Sequence, residues 1–166
     1  VIPDPNEYYF RRPDRRFSDE EFILPTLDGE AFKEAVFAID CSGSMGKEEA
    51  AYCISEVCQI FRLFEKVRGR LIFHDTEVYD QGDIDDIKDI PQEIWGRGGT
   101  DFRPVFEFIK ENNLNPSVLV FFTDGEGDFP DEVPNYDVIW LCLTDASLPF
   151  GKVIRIDISD LRPIYC

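Results

Sequence analysis

Three short stretches of this chain concentrate small oxygen-bearing side chains. They are Asp40-Cys41-Ser42-Gly43-Ser44-Met45-Gly46, Gly98-Gly99-Thr100-Asp101 and Thr123-Asp124-Gly125-Glu126-Gly127-Asp128. Hydroxyls and carboxylates are hard donors, suited to Mg²⁺, Mn²⁺ or Ca²⁺. In Asp40-x-Ser42-x-Ser44 the alternate residues can curl around one point once the backbone has left strand geometry. Glycines 43, 46, 98, 99 and 125 permit the tight turns and close backbone approach that this demands. Each stretch alone has a plainer reading, with Asp40 and Asp124 as caps and Ser42-Gly43-Ser44 as an ordinary turn. Together they point to a metal centre at Asp40, Ser42, Ser44, Thr100 and Asp124.

The neighbouring charged residues are less specific. Asp101, Glu126 and Asp128 could tune a metal, hold a second cation or simply cap turns, and Asp101 precedes a helix as a good N-cap. Lys47, Arg97 and Arg103 lie near the same stretches and could balance the carboxylates, although a surface role is the simpler expectation. The one histidine, His74, ends a strand beside Asp75 and reads as a surface or core-edge residue. Gly43-Ser44-Met45-Gly46 is not a G-x-S-x-G nucleophile elbow, so serine hydrolysis is not expected.

The elements that must position these stretches follow from apolar patterning. Ala35-Val36-Phe37-Ala38-Ile39 is a continuous apolar run, as in a parallel strand buried on both faces. Gly46 to Phe64 has apolar residues at 50, 53, 54, 57, 60, 61 and 64, the spacing of an amphipathic helix. Arg70 to His74 is a second strand, with Glu77-Val78-Tyr79 pairing beside it as an edge hairpin. Phe102 to Lys110 is a helix that tolerates Pro104 in its first turn. Ser117–Thr123, Asp137–Leu143 and Val153–Ile158 are further buried strands. Pro130 and Pro134 make 128–135 a loop or at most a short helix, and the last crossover helix is expected to be lacking. Strands alternating with helices predict an α/β fold: a doubly wound, mainly parallel, Rossmann-like sheet of about six strands with helices on both faces. Ligands of such sheets bind beyond the carboxyl ends of the strands, where all three stretches fall.

Composition narrows the partners. The 166 residues fit one domain, and 34 acidic against 17 basic residues give a net charge of −17. A nucleic-acid or anionic membrane surface needs clustered cations, so neither is expected. No run approaches the ~20 apolar residues of a membrane span, and the N-terminus has no secretory pattern. The chain begins at Val1, so an upstream signal or domain could be missing. Residues 1–30 carry Pro3, Pro5, Pro13 and Pro25 with Arg11, Arg12, Arg15 and Arg16, and read as an extended arm ahead of a domain at 31–166. Five cysteines without a CxxC pair, three of them inside apolar patterns, favour free thiols and a cytoplasmic location.

Asp40-Cys41-Ser42-Gly43-Ser44, followed by Gly99-Thr100-Asp101 and Thr123-Asp124-Gly125, resembles the metal-ion-dependent adhesion site of von Willebrand factor A (VWA) domains. The pattern there is DxSxS, then Thr, then Asp, and the resemblance spans roughly residues 34–158. It implies that Ser42 and Ser44 ligate the ion, Thr100 joins directly or through water, and Asp40 and Asp124 act mostly through water. It also implies Mg²⁺, with Mn²⁺ or Ca²⁺ as alternatives, and a protein partner offering an Asp or Glu carboxylate. The lead Arg11-Arg12-Pro13-Asp14-Arg15-Arg16-Phe17, then Leu24-Pro25, further resembles a bacterial VWA-like family. There the domain often follows a metallopeptidase-like domain, and MoxR-type AAA ATPases accompany it. The expectation is a binding module and not an enzyme. Two rivals are a phosphatase of haloacid-dehalogenase type and a structural domain whose metal only orders the loops. The first wants a second Asp where this chain has Ser42.

Overall fold

The computed structural model describes residues 34–63, 68–91 and 98–156. The arm expected at residues 1–30 lies outside them. Among the described residues the chain forms six strands and two α-helices. These are β1 (Ala35–Asp40), α1 (Lys47–Leu63), β2 (Gly69–His74), β3 (Val78–Ile84), α2 (Arg103–Glu111), β4 (Val118–Thr123), β5 (Asp137–Cys142) and β6 (Lys152–Arg155). A single 3-10 turn at Ile87–Asp89 follows β3.

The strands form one sheet in the order β3-β2-β1-β4-β5-β6, parallel throughout except for β3, which runs antiparallel to β2. The mainly parallel α/β architecture is therefore as expected. After β1 the chain moves outward through β2 and β3, then returns to place β4 on the other side of β1. The switch point of the sheet thus lies between the carboxyl ends of β1 and β4.

Alternate residues of each strand feed two cores. Ala35, Phe37 and Ile39 face α1, packing with Cys53, Val57, Cys58 and Ile60. Val36 and Ala38 face α2, packing with Phe102, Val105, Ile109, Phe121 and Trp140. Both faces of β1 are closed, which is why its sequence shows no polar alternation. The α2 face is aromatic: Phe121 stacks on Trp140 at 4.3 Å, and the Trp140 indole N–H donates to the Phe150 carbonyl at 2.7 Å. α1 carries Glu48 and Glu49 in its first turn and Arg62 in its last, matching the helix dipole.

Two details differ from the sequence reading. β3 is seven residues long rather than a three-residue hairpin arm, and its register with β2 shifts between Leu71 and Ile72. An exposed edge strand needs only backbone pairing, so Asp80, Gln81 and Asp83 hide it from an apolar pattern. The cysteines also divide. Cys41, Cys53 and Cys142 are free and buried, as anticipated, whereas Cys58 is disulfide-bonded, which the expectation of a reducing compartment does not anticipate. Among the described residues no helix is long and apolar enough to cross a membrane.

Candidate metal centre

β1 ends at Asp40 and β4 at Thr123, side by side in the sheet, and the loops leaving both strands meet. The Asp40 carboxylate is fully buried. One of its oxygens accepts the Ser42 backbone N–H at 2.9 Å and the other accepts the Thr123 hydroxyl at 2.6 Å. Residues 40 and 123 are thereby joined across the switch point. The Ser42 and Ser44 hydroxyls lie 3.0 Å apart, and the Ser44 hydroxyl donates to Asp124 Oδ2 at 2.5 Å. Asp124 Oδ1 accepts the Glu126 N–H at 3.0 Å. Gly125 has φ 81°, a left-handed conformation that lets the chain turn sharply just after Asp124. Four of the five expected residues thus form one hydrogen-bonded cluster.

Thr100, the fifth, lies on a segment bonded to the first loop, but its hydroxyl makes no hydrogen bond to the other four. Its segment is pinned on three sides. The Gly43 N–H donates to the Gly98 carbonyl at 3.0 Å, the Asp101 N–H to the Asp75 carbonyl at 2.9 Å, and the Phe102 N–H to the Asp128 carbonyl at 2.9 Å.

Hard oxygens make up the whole donor set. Adjacent ligands around an octahedral ion at about 2.1 Å sit roughly 3 Å apart, and the Ser42 and Ser44 hydroxyls have that 3.0 Å spacing. Among the described residues no group of three or more His, Cys, Asp or Glu side chains is arranged to hold a metal alone, so a cation here must draw on the hydroxyls. No Lys or Arg among the described residues pairs with Asp40 or Asp124, although these are 0% and 8% exposed. Buried charges are ordinarily paired or coordinate a metal. The residues therefore fit a hard divalent cation.

The outer acids have other duties. Asp101 accepts the Arg103 backbone N–H at 3.0 Å and grips the Arg103 guanidinium, with Nη2 at 2.8 Å. Arg103 holds the Asp101 carboxyl below its usual value. Asp128 is exposed and 3.7 Å from Arg103, and Glu126 is exposed. Arg103 therefore neutralises Asp101 and not the buried pair. Arg97 lies outside the described residues, as does the Lys47 side chain.

His74 corrects the core-edge expectation, because it is fully buried. It is the register partner of Asp40 and packs against Phe102 and Phe121 at ring-centroid distances of 5.5 and 5.6 Å. Burial lowers its pKa against the opposing pull of Asp40. Ile72 and His74 share a strand face, and that period of two is the signal for its burial. Sequence reasoning also missed Thr123 and Asp75. Asp75 is 5% exposed, accepts the Glu77 N–H at 2.9 Å and lies directly under Gly98. Burial, then Asp75 and Asp40, push the Cys41 thiol up to about 12.

A parallel sheet with an oxygen-lined cluster at its switch point defines a Rossmann-like α/β domain of the VWA type. The family described as VWA-like domain (DUF2201) matches residues 35–157, most of the 166, and the chain belongs to it. No curated protein matches the sequence. Three solved structures share the fold. An aerotolerance-related membrane protein from Bacteroides fragilis NCTC 9343, solved with multiple mutations to serines, is 18% identical with a TM-score of 0.54, over 76% of this chain and 92% of that one. The ArnB paralog VWA2 from Sulfolobus acidocaldarius is 15% identical with a TM-score of 0.54, over 76% of this chain and 42% of that one. The RO (RSR) protein of Deinococcus radiodurans is 17% identical with a TM-score of 0.50, over 75% of this chain and 31% of that one. This chain thus spans less than half the length of the last two.

Proposed function

We propose that the domain is a divalent-cation-dependent protein-binding module and not an enzyme. VWA-like domains generally mediate protein interactions, and the cluster suits that role. Ser42, Ser44 and Thr100 would supply neutral oxygens to Mg²⁺, or to Mn²⁺ or Ca²⁺, with Asp40 and Asp124 completing the cage directly or through water. Neutral hydroxyls leave much of the ion's charge uncancelled, so the bound ion supplies a strong attraction for an Asp or Glu carboxylate of a partner protein. By the resemblance of its N-terminal lead, that partner is a MoxR-type AAA ATPase or one of its clients.

The carrying observation is the burial of the Asp40 and Asp124 carboxylates against hydroxyls and amides, with no paired cation among the described residues. Binding is favoured over hydrolysis because the one histidine is sealed under Phe102 and Phe121, where it cannot exchange protons with a substrate. The Ser44 hydroxyl donates to the Asp124 carboxylate and not to an imidazole.

Calorimetric titration with Mg²⁺ and Mn²⁺ tests the reading on the wild type, Ser44→Ala and Asp124→Asn. Saturating metal at about 100 times Kd should stabilise the wild type by about 2.7 kcal/mol. Both variants should lose most of that gain, and chelator should reverse it. Equal metal binding by all three proteins overturns the reading. A glutamate peptide that binds only when metal is present separates a recognition site from a purely structural ion.

A further inference from the structure

We infer that Gly127 is a positioning residue for Thr100, keeping the second loop seated against the third so that the metal cage can close. The inference rests on the metal reading above. A Cβ there would lie 2.8 Å from the Thr100 carbonyl oxygen, 2.9 Å from Phe102 Cε2 and 3.0 Å from Thr100 Cγ2. The first is a backbone atom and the second belongs to a fully buried ring, so neither can swing aside. Gly127 does not have the positive φ of Gly125, so this position needs glycine for space and not for backbone freedom.

Several contacts converge on the same seam. Residues 101 and 128 form an isolated parallel β-bridge, and the Phe102 N–H donates to the Asp128 carbonyl at 2.9 Å. On the solvent side the Arg103 guanidinium reaches both Asp101 and Asp128. Beneath it the Phe102 ring stacks on Phe129 at 4.8 Å and meets Trp140 edge-on at 5.3 Å. The loop carrying Asp124 and the loop carrying Thr100 are thus joined by backbone, by an ion pair and by ring packing. Only a missing side chain at 127 lets Thr100 lie flat against that seam. Any larger residue must displace the Thr100 backbone relative to the loop that carries Asp124.

The test compares wild type, Gly127→Ala, Thr100→Ala and the double variant by Mg²⁺ calorimetry, together with amide exchange at Phe102 in the metal-free protein. Gly127→Ala should weaken Mg²⁺ binding about tenfold, the size expected for a group that orients a ligand. Because Gly127 acts through Thr100, its replacement should cost little more once Thr100→Ala has removed the hydroxyl. A merely structural defect would instead add its full loss in that background. Phe102 exchange should quicken in Gly127→Ala, while that of the β1 amides stays unchanged. Wild-type affinity in Gly127→Ala, or a fully additive loss in the double variant, overturns the inference while leaving the metal site standing. If the wild type itself binds no Mg²⁺, the metal reading fails, and unchanged Phe102 exchange in Gly127→Ala would sink the seam as well. Should Gly127→Ala not fold, Arg103→Ala opens the same seam from its exposed side. That variant should speed Phe102 exchange and weaken Mg²⁺ about threefold, and no change in either would overturn the inference.

Discussion

Acidic side chains are treated in opposite ways at two places in this sheet. Along β2 and β3, Asp80 and Asp83 lie at the surface and are answered by Arg70, whose guanidinium also sits over the Phe108 ring at 5.7 Å. At the carboxyl ends of β1 and β4, Asp40 and Asp124 are buried and answered only by hydroxyls and backbone amides. Water screens the first arrangement, which costs the fold little. The second takes two carboxylates out of water without a neutralising side chain among the described residues, a cost that packing alone does not return. The comparison teaches that the net charge of −17 has more than one cause. Part of it is ordinary surface, and part is two carboxylates held out of water at the switch point.

The largest expected effect tests whether the site end depends on the aromatic core. Phe102 is fully buried and contacts the rings of His74, Phe121, Phe129 and Trp140. Phe102→Ala should therefore cost about 3–5 kcal/mol in urea denaturation. A loss below about 1 kcal/mol would mean that the loops above do not depend on this packing. A smaller effect is expected on the other side of the comparison. Arg70→Met should cost at most about 1 kcal/mol at pH 7 and leave Mg²⁺ binding unchanged. Burial works to raise the Asp80 carboxyl, but the Arg70 guanidinium and the Gly82 amide outweigh it and hold the pKa below its usual value. With the folded pKa below the unfolded one, this contribution is present above about pH 4 and is lost as pH falls through the folded value. The wild-type advantage over Arg70→Met should accordingly vanish in acid, and an advantage that grows on acidification contradicts the pairing. The smallest expected effect is none. With its thiol at about 12 and 4% exposed, Cys41 should resist iodoacetamide at pH 8 until the protein unfolds, as followed by mass spectrometry.

Much of this architecture could be read from the residues, for identifiable reasons. β1, β4 and β5 are closed on both faces and so appear as unbroken apolar runs. α1 announced itself by spacing, and α2 by Pro104 at its start. The cluster was readable because Asp40, Ser42, Ser44 and Asp124 sit in two short stretches, each placed directly after a strand. What stayed hidden depends on contacts between distant stretches. The pairing of Thr123 with Asp40, the burial of His74 and the fit of Gly127 against Thr100 are set by which strands become neighbours, and residue spacing carries no record of that. β3 was underestimated because its polar residues face solvent on an edge held by backbone pairing.

The return of the chain from β3 to β4 has a consequence for biosynthesis. Ser44 reaches Asp124 across 80 positions and Asp40 reaches Thr123 across 83. A polypeptide emerging from the ribosome exposes its serine loop long before the matching aspartate exists. The proposed cation site cannot form until the fourth strand has been made and has docked beside the first. On the proposed function, cation capture would then certify that the sheet has been assembled in the right order, and a product ended before Asp124 could not take up the ion.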